Sequence, residues 1–392
     1  MVRLLTGWLA RFFGLNLATG DVPSLRIVGA PPVFYGNDVL QNVSKICEQE
    51  FLNLENTYII SGDKTYKIAG KAIADELKQK YPVNVIKKSF DTQLDKDVIE
   101  SFSKKIENPT LLIGVGGGSK LDLTKVLATK YRVPYVLVPT ALSHDGVASN
   151  YASSKEGTHR TKRAEIILAD HNLLQKTDEK YTKAGFGDVI SNYSAAYDWM
   201  LAKNKYGIIA SNFSRKIRLV SWLSAQIVME ISLLPEVKKV GDMIEELILG
   251  IVASATAMNS ANSSIPCSGS EHTVEKILGK HTDALHGTLC ASVALPIVYM
   301  QPKHLQSGNW KLYKQALLKM GLPTTAKELG IDKNLAIESF YKALFLRSPK
   351  PGDKFNYQKH RYGILNKTFD EAKTREKYFK IVEAAMKKTR FI

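Results

Sequence analysis

The residues with the clearest chemical promise are three consecutive glycines, Gly116, Gly117 and Gly118. They close an apolar run, Leu111 to Val115, and precede a helix-like stretch, Lys120 to Lys130. A second apolar run, Val133 to Val138, ends in Pro139-Thr140. The order is strand, glycine turn, helix, strand. Glycines at such a turn let the backbone approach an anion, and the helix start adds free N–H donors and a positive dipole end. The implied ligand is a phosphate or pyrophosphate. The spacing is G-x-G-G-G, which differs from the usual dinucleotide fingerprint, and no Gly-Lys-Ser/Thr follows to make a P-loop. A glycine cluster after a strand is otherwise only a tight turn, so the surrounding residues decide its meaning.

Those residues are Asp122 and the PTALSHDG stretch from Pro139 to Gly146. GVGGGSKLDLTK, from Gly114 to Lys125, resembles GVGGGxxxDxxK, and VPTALSHDGVAS, from Val138 to Ser149, resembles VPTxxSHDGxAS. Both are motifs of the sn-glycerol-1-phosphate dehydrogenases. That family belongs to the superfamily of iron-type alcohol dehydrogenases, glycerol dehydrogenases and dehydroquinate synthases. The resemblance runs from about residue 30 to about residue 365, strong in the motifs and weak between them.

The resemblance implies a dehydroquinate synthase-like fold: an α/β nucleotide-binding domain, then an all-α metal domain, with the active site between them. It places Gly116, Gly117, Gly118, Ser119, Asp122, Thr140, Ser143 and Ser149 at NAD(P)H, and Asp145 at the substrate. Its metal positions match Asp188 in GFGDVIS, His272 in SGSEH and His286 in ALHG, with Asp188 touching substrate as well. One carboxylate and two imidazoles suit a divalent ion such as Zn²⁺ and leave a position open. HRYGIL, His360 to Leu365, resembles the family's RYTIL.

Three positions depart from the family. Lys276 stands where a second substrate-contacting histidine is expected, Ile265 replaces an arginine, and Thr288 replaces a glutamate. On a helix Lys276 shares a face with His272, and it is assigned to the substrate's phosphate. The implied reaction is NAD(P)H-dependent reduction of dihydroxyacetone phosphate to sn-glycerol 1-phosphate, a precursor of archaeal phospholipids. The alternatives are a dehydrogenase of another polyol or sugar phosphate, a dehydroquinate synthase-like lyase, and a non-catalytic paralogue.

These residues need elements to hold them. Asn56 to Ile60 and Val83 to Ile86 read as strands alongside the two apolar runs above, and strands alternating with helices imply a parallel sheet. Ser149 to Asp170 reads as a hairpin of Tyr151 to Ser153 and Ala164 to Leu168. From about Lys176 apolar residues recur at helical spacing. The expected organisation is an extension, 1–24, an α/β domain, 25–175, and a helical domain, 176–392. After the second strand come Lys87-Lys88-Ser89, with no acid until Asp91, which favours NADPH at least as well as NADH.

At 392 residues the chain has length for two cores, and 44% hydrophobic with 23% charged residues is ordinary for a soluble globular protein. The formal charge of +16 attracts anions. No basic run is interleaved with aromatics, so nucleic acid is not the expected partner. Three cysteines without CxxC spacing fit a reducing, cytoplasmic setting. No segment reaches the ~20 apolar residues that span a bilayer. In residues 1–17, Leu4, Leu5, Trp8, Leu9, Phe12 and Phe13 recur at helical spacing, as in a helix lying on a membrane surface or packed on a protein body. A homo-oligomer is expected.

Overall fold

The computed structural model describes Val22 and residues 24–90, 94–155, 157–302 and 309–392. The amphipathic stretch 1–17 and Asp91 lie outside the described residues. The chain divides into two compact units, one ending at Asp178 and the other starting at Glu179.

Among its described residues the first unit has nine strands: β1 Ser24–Leu25, β2 Val33–Gly36, β3 Thr57–Ser61, β4 Val83–Lys87, β5 Leu111–Gly116, β6 Tyr135–Pro139, β7 Tyr151–Ser154, β8 Gly157–Arg160 and β9 Ile166–Asp170. Seven form one sheet in the order β1-β2-β9-β6-β5-β3-β4. All neighbours in it are parallel except β1 with β2. β3, β5, β6 and β9 are buried along their whole length. Their continuous apolar runs are what a parallel sheet covered on both faces requires. Helices α1 Val43–Gln49, α2 Lys71–Leu77, α3 Lys96–Ser103 and α4 Gly118–Tyr131 flank it. Ile46, Ile73, Ile59, Ile113 and Val136 meet in one core.

One sequence expectation fails here. The hairpin partner of β7 is β8, not Ala164 to Leu168. Gly157 has φ +121°, so the chain reverses just after Ser154, in a conformation that L residues rarely adopt. The polar Thr158-His159-Arg160 then forms an exposed strand. The apolar β9 is drawn into the large sheet between β2 and β6, where it is wholly buried.

The second unit is helical among its described residues. Its main helices are α5 Glu179–Tyr206, α6 Arg215–Ser232, α7 Ile244–Ala261, α8 Ser270–Leu278, α9 His286–Met300, α10 Trp310–Lys319, α11 Lys333–Leu346, α12 Ile364–Ala372 and α13 Arg375–Thr389. α5 is buried over most of its 28 residues and packs against α6 and α9. Tyr197, Val274, Leu289, Val293, Phe340 and Tyr378 share a core. No described helix is long and apolar enough to cross a membrane.

Candidate active site and metal centre

In the first unit the three glycines have three different reasons. A methyl on Gly116 would stand 2.7 Å from Cβ of Lys120, and one on Gly118 would run into the His144 ring. Gly117 has open space above it and is extended, giving way at once to α4. The N–H of Thr140 donates to the carbonyl of Gly116 at 3.0 Å, which ties the end of β6 to the turn. The result is a helix N-terminus with small residues around it, the arrangement that accepts phosphate. Ser119 is exposed, Thr140 and Ser149 are buried, and Ser143 is half-buried. Asp145 begins a short turn, Asp145–Val147, directly after His144.

Asp122 is engaged on both carboxylate oxygens. One carboxylate oxygen accepts from Nζ of Lys125 at 2.9 Å, and the other accepts the N–H of Ser153 at 2.9 Å. Lys125, whose side chain has no exposure, also donates to the carbonyls of Gly146 and Tyr151. This pair clamps α4 to the SHDG loop and to β7. A second carboxylate that strand-end reasoning overlooked is Asp63, just past β3, which accepts Oγ–H of Ser89 at 2.8 Å.

In the second unit, three helices converge. Oδ1 of Asp188 lies 3.5 Å from Nε2 of His272 and 3.5 Å from Nε2 of His286. Ligand atoms about 2.1 Å from a tetrahedral cation stand about 3.4 Å apart, so these spacings fit three donors on one ion. The outer ring nitrogens are held. Nδ1 of His272 lies 2.9 Å from Oε1 of Glu271, and Nδ1 of His286 lies 3.0 Å from Oε1 of Glu275. A carboxylate on Nδ1 fixes the ring and leaves Nε2 to coordinate. Burial alone would raise the Glu271 carboxyl, yet the bond from His272 holds it below its ordinary value. Sequence reasoning missed both glutamates. Their signal was present in SEHTVE, where acids stand one residue before and three after His272.

Two glycines let the helices meet. Gly187 precedes Asp188 and Gly287 follows His286. A methyl on Gly287 would strike the carbonyl of Ala184 and come within 2.8 Å of the Asp188 backbone nitrogen, and one on Gly187 would strike the carbonyl of Gly287. α5 and α9 therefore touch backbone to backbone beside the ligands. Asp198, one face further along α5, accepts the N–H of Ser270 at 2.8 Å and that of Ile364 at 2.9 Å. One buried carboxylate thus caps the starts of α8 and α12.

The altered positions fall as follows. Lys276 is exposed, one turn beyond His272. Partial burial and then Arg347 and Arg361 lower its pKa, so three cationic groups are close enough to sense one another. Arg347 donates to Oγ of Ser268 at 3.1 Å, and Arg361 to the Ser268 carbonyl at 2.7 Å. Ile265 is 2% exposed and packs with Trp199 and Ala261, so it belongs to the core. Thr288 is half-buried.

The match to known proteins follows this geometry. Residues 34–177 match the family model described as iron-containing alcohol dehydrogenase. The glycerol-1-phosphate dehydrogenase [NAD(P)+] of Methanosphaera stadtmanae is 32% identical over 352 residues, covering 87% of this chain and 92% of that one. Its counterpart in Thermoplasma acidophilum is 35% identical, covering 80% and 88%. Among solved structures, glycerol dehydrogenase from Schizosaccharomyces pombe superposes with a TM-score of 0.69 at 16% identity, covering 94% and 92%. An iron-containing alcohol dehydrogenase from Thermococcus thioreducens gives 0.64 at 14% identity, covering 91% and 98%. With a relative above 30% identity matched over nearly its full length, the chain belongs to the glycerol-1-phosphate dehydrogenase family.

Proposed function

We propose that this protein reduces dihydroxyacetone phosphate to sn-glycerol 1-phosphate with NAD(P)H. The observation that carries the reading is the trio Asp188, His272 and His286, with both imidazoles oriented by glutamates, the buried Glu271 and the half-buried Glu275. A divalent cation held there, Zn²⁺ by its donor set, supplies Lewis acidity to a carbonyl oxygen, while the nicotinamide supplies the hydride.

The chain's own residues do the rest. The α4 N-terminus with Gly116, Gly117, Gly118 and Ser119 receives the cofactor's pyrophosphate, and Thr140, bonded to Gly116, contacts the cofactor with Ser143 and Ser149. Asp122 acts on this turn through Lys125, by holding the loop that carries Asp145. Asp145 contacts the substrate. Glu271 and Glu275 keep each Nδ1 proton in place, so Nε2 stays available. Lys276, with Arg347 and Arg361 behind it, supplies charge to the substrate's phosphate.

The test is an NAD(P)H-oxidation assay with dihydroxyacetone phosphate, dihydroxyacetone and glyceraldehyde 3-phosphate side by side. The first should turn over fastest, with stoichiometric cofactor oxidation. Product formation without net oxidation would indicate a lyase, and no turnover of any of the three would indicate a binding protein.

A further inference from the structure

Four side chains, not three, crowd the metal centre. The ligating atoms of Asp188, His272, His286 and Cys290 all lie within 4.8 Å of one another. Cys290 stands four residues after His286 on α9, the spacing that puts two side chains on one helix face. Its Sγ is 3.9 Å from Nε2 of His286 and lies in the same 4.8 Å cluster as the His272 ligand nitrogen. It is wholly buried.

A buried cysteine usually serves as a small apolar filler. The neighbours of Cys290 argue otherwise. Leu289 and Val293 of the same helix join the apolar core, while the Cys290 sulfur clusters with the two rings that face Asp188. Sulfur at about 2.3 Å and nitrogen at about 2.1 Å from a shared tetrahedral cation would be about 3.6 Å apart. The observed 3.9 Å needs little adjustment. The other buried thiol of this unit, Cys267, is engaged elsewhere, with Ser221 and the Ser254 carbonyl at 3.6 Å.

We propose that Cys290 is a fourth protein donor to the metal held by Asp188, His272 and His286. The inference rests on the metal centre argued under Proposed function. A thiolate softens the donor set and favours zinc over magnesium or manganese. With four protein donors, a carbonyl oxygen enters as a fifth, an expansion zinc tolerates.

Cobalt substitution of the full-length, chelator-stripped protein tests this without an activity measurement. The wild type should show visible d–d absorption and, in addition, a sulfur-to-cobalt charge-transfer band in the near ultraviolet. Cys290→Ser should keep the d–d absorption, lose the band and bind zinc about tenfold or more weakly, at least the loss that an outer-shell partner carries. Cys267→Ser should keep the band. Wild-type protein with cobalt d–d absorption and no sulfur band overturns the role of Cys290 and leaves the three-ligand centre standing. Protein that takes up neither cobalt nor zinc overturns the centre itself.

Discussion

The two units build their sites by opposite means. In the first, the proposed anion site is backbone: a run of glycines and the start of α4, contiguous from Gly116 to Ser119. In the second, the proposed metal centre is side chains, brought from α5, α8 and α9. The backbone site needs little beyond one turn and the clamp on it. The side-chain site depends on how three helices pack, and one of its buttresses, Glu275 on His286, itself joins two of them. A local site is robust to changes elsewhere, whereas an assembled one inherits the precision of the whole core.

The largest effect expected on this contrast comes from the ligands. His272→Ala or His286→Ala should abolish metal uptake and lower turnover by about a thousandfold or more, since Lewis-acid stabilisation supplies several kcal/mol. Circular dichroism should stay unchanged, and full activity in the presence of a chelator would remove the metal assignment. Next comes the clamp of the first unit. Lys125→Met leaves Asp122 buried and uncompensated, which costs about 3–5 kcal/mol. Denaturant unfolding should show that loss, while metal content stays at the wild-type value. A drop in metal content would show that the two sites are coupled.

Gly287→Ala sharpens the other side of the comparison. A single methyl must push α9 from α5, at about 1–3 kcal/mol, and should weaken zinc binding about tenfold or more, as lost supporting contacts do. Zinc titration at wild-type affinity would show that the helix contact does not set the ligand spacing. A smaller, selective change is expected from Lys276→Met. It should raise KM for dihydroxyacetone phosphate about tenfold, or about 1.4 kcal/mol, and barely alter activity on dihydroxyacetone. Equal effects on both substrates would exclude a phosphate contact.

The smallest effect is a slope. Burial and the adjacent Glu271 push the Asp198 carboxyl up to about 7. In an unfolded chain the same group loses its proton near pH ~4. Between those values the folded state binds a proton that the unfolded state has released, so stability declines as pH rises. Asp198→Asn should flatten that decline, read as thermal midpoints across the same range. An identical slope in the variant would assign the titration to another group.

How much of this was legible in the sequence follows the same division. The glycine turn, the parallel strands and the helical second half are periodic or local signals, and each stands within a few residues of its expected place. Asp188, His272 and His286 carry no local mark of convergence, and only family resemblance picked them out. Glu271 and Glu275 escaped because a carboxylate in an exposed-looking SEHTVEK helix reads as solvated until its neighbours are known. The motif marks Asp122 as a cofactor position, but nothing local announces its partner Ser153, which the fold alone brings to it. The hairpin expectation fails at its second strand, because the apolar run at Ala164 to Leu168 supplies β9 to the large sheet and leaves the polar β8 to pair with β7.

The crossing of Gly187 and Gly287 has a consequence for how this protein can change over generations. These residues have no functional group, yet they set the distance between two that do. Substitutions at the positions that depart from the family pattern, such as Lys276 and Thr288, put no side chain into that backbone crossing and are open routes to new specificity. At the two glycines every replacement adds volume where backbone already meets backbone. A saturation library selected for retained zinc should therefore be as empty at Gly187 and Gly287 as at the histidines, making chemically blank positions the least negotiable in the helical unit.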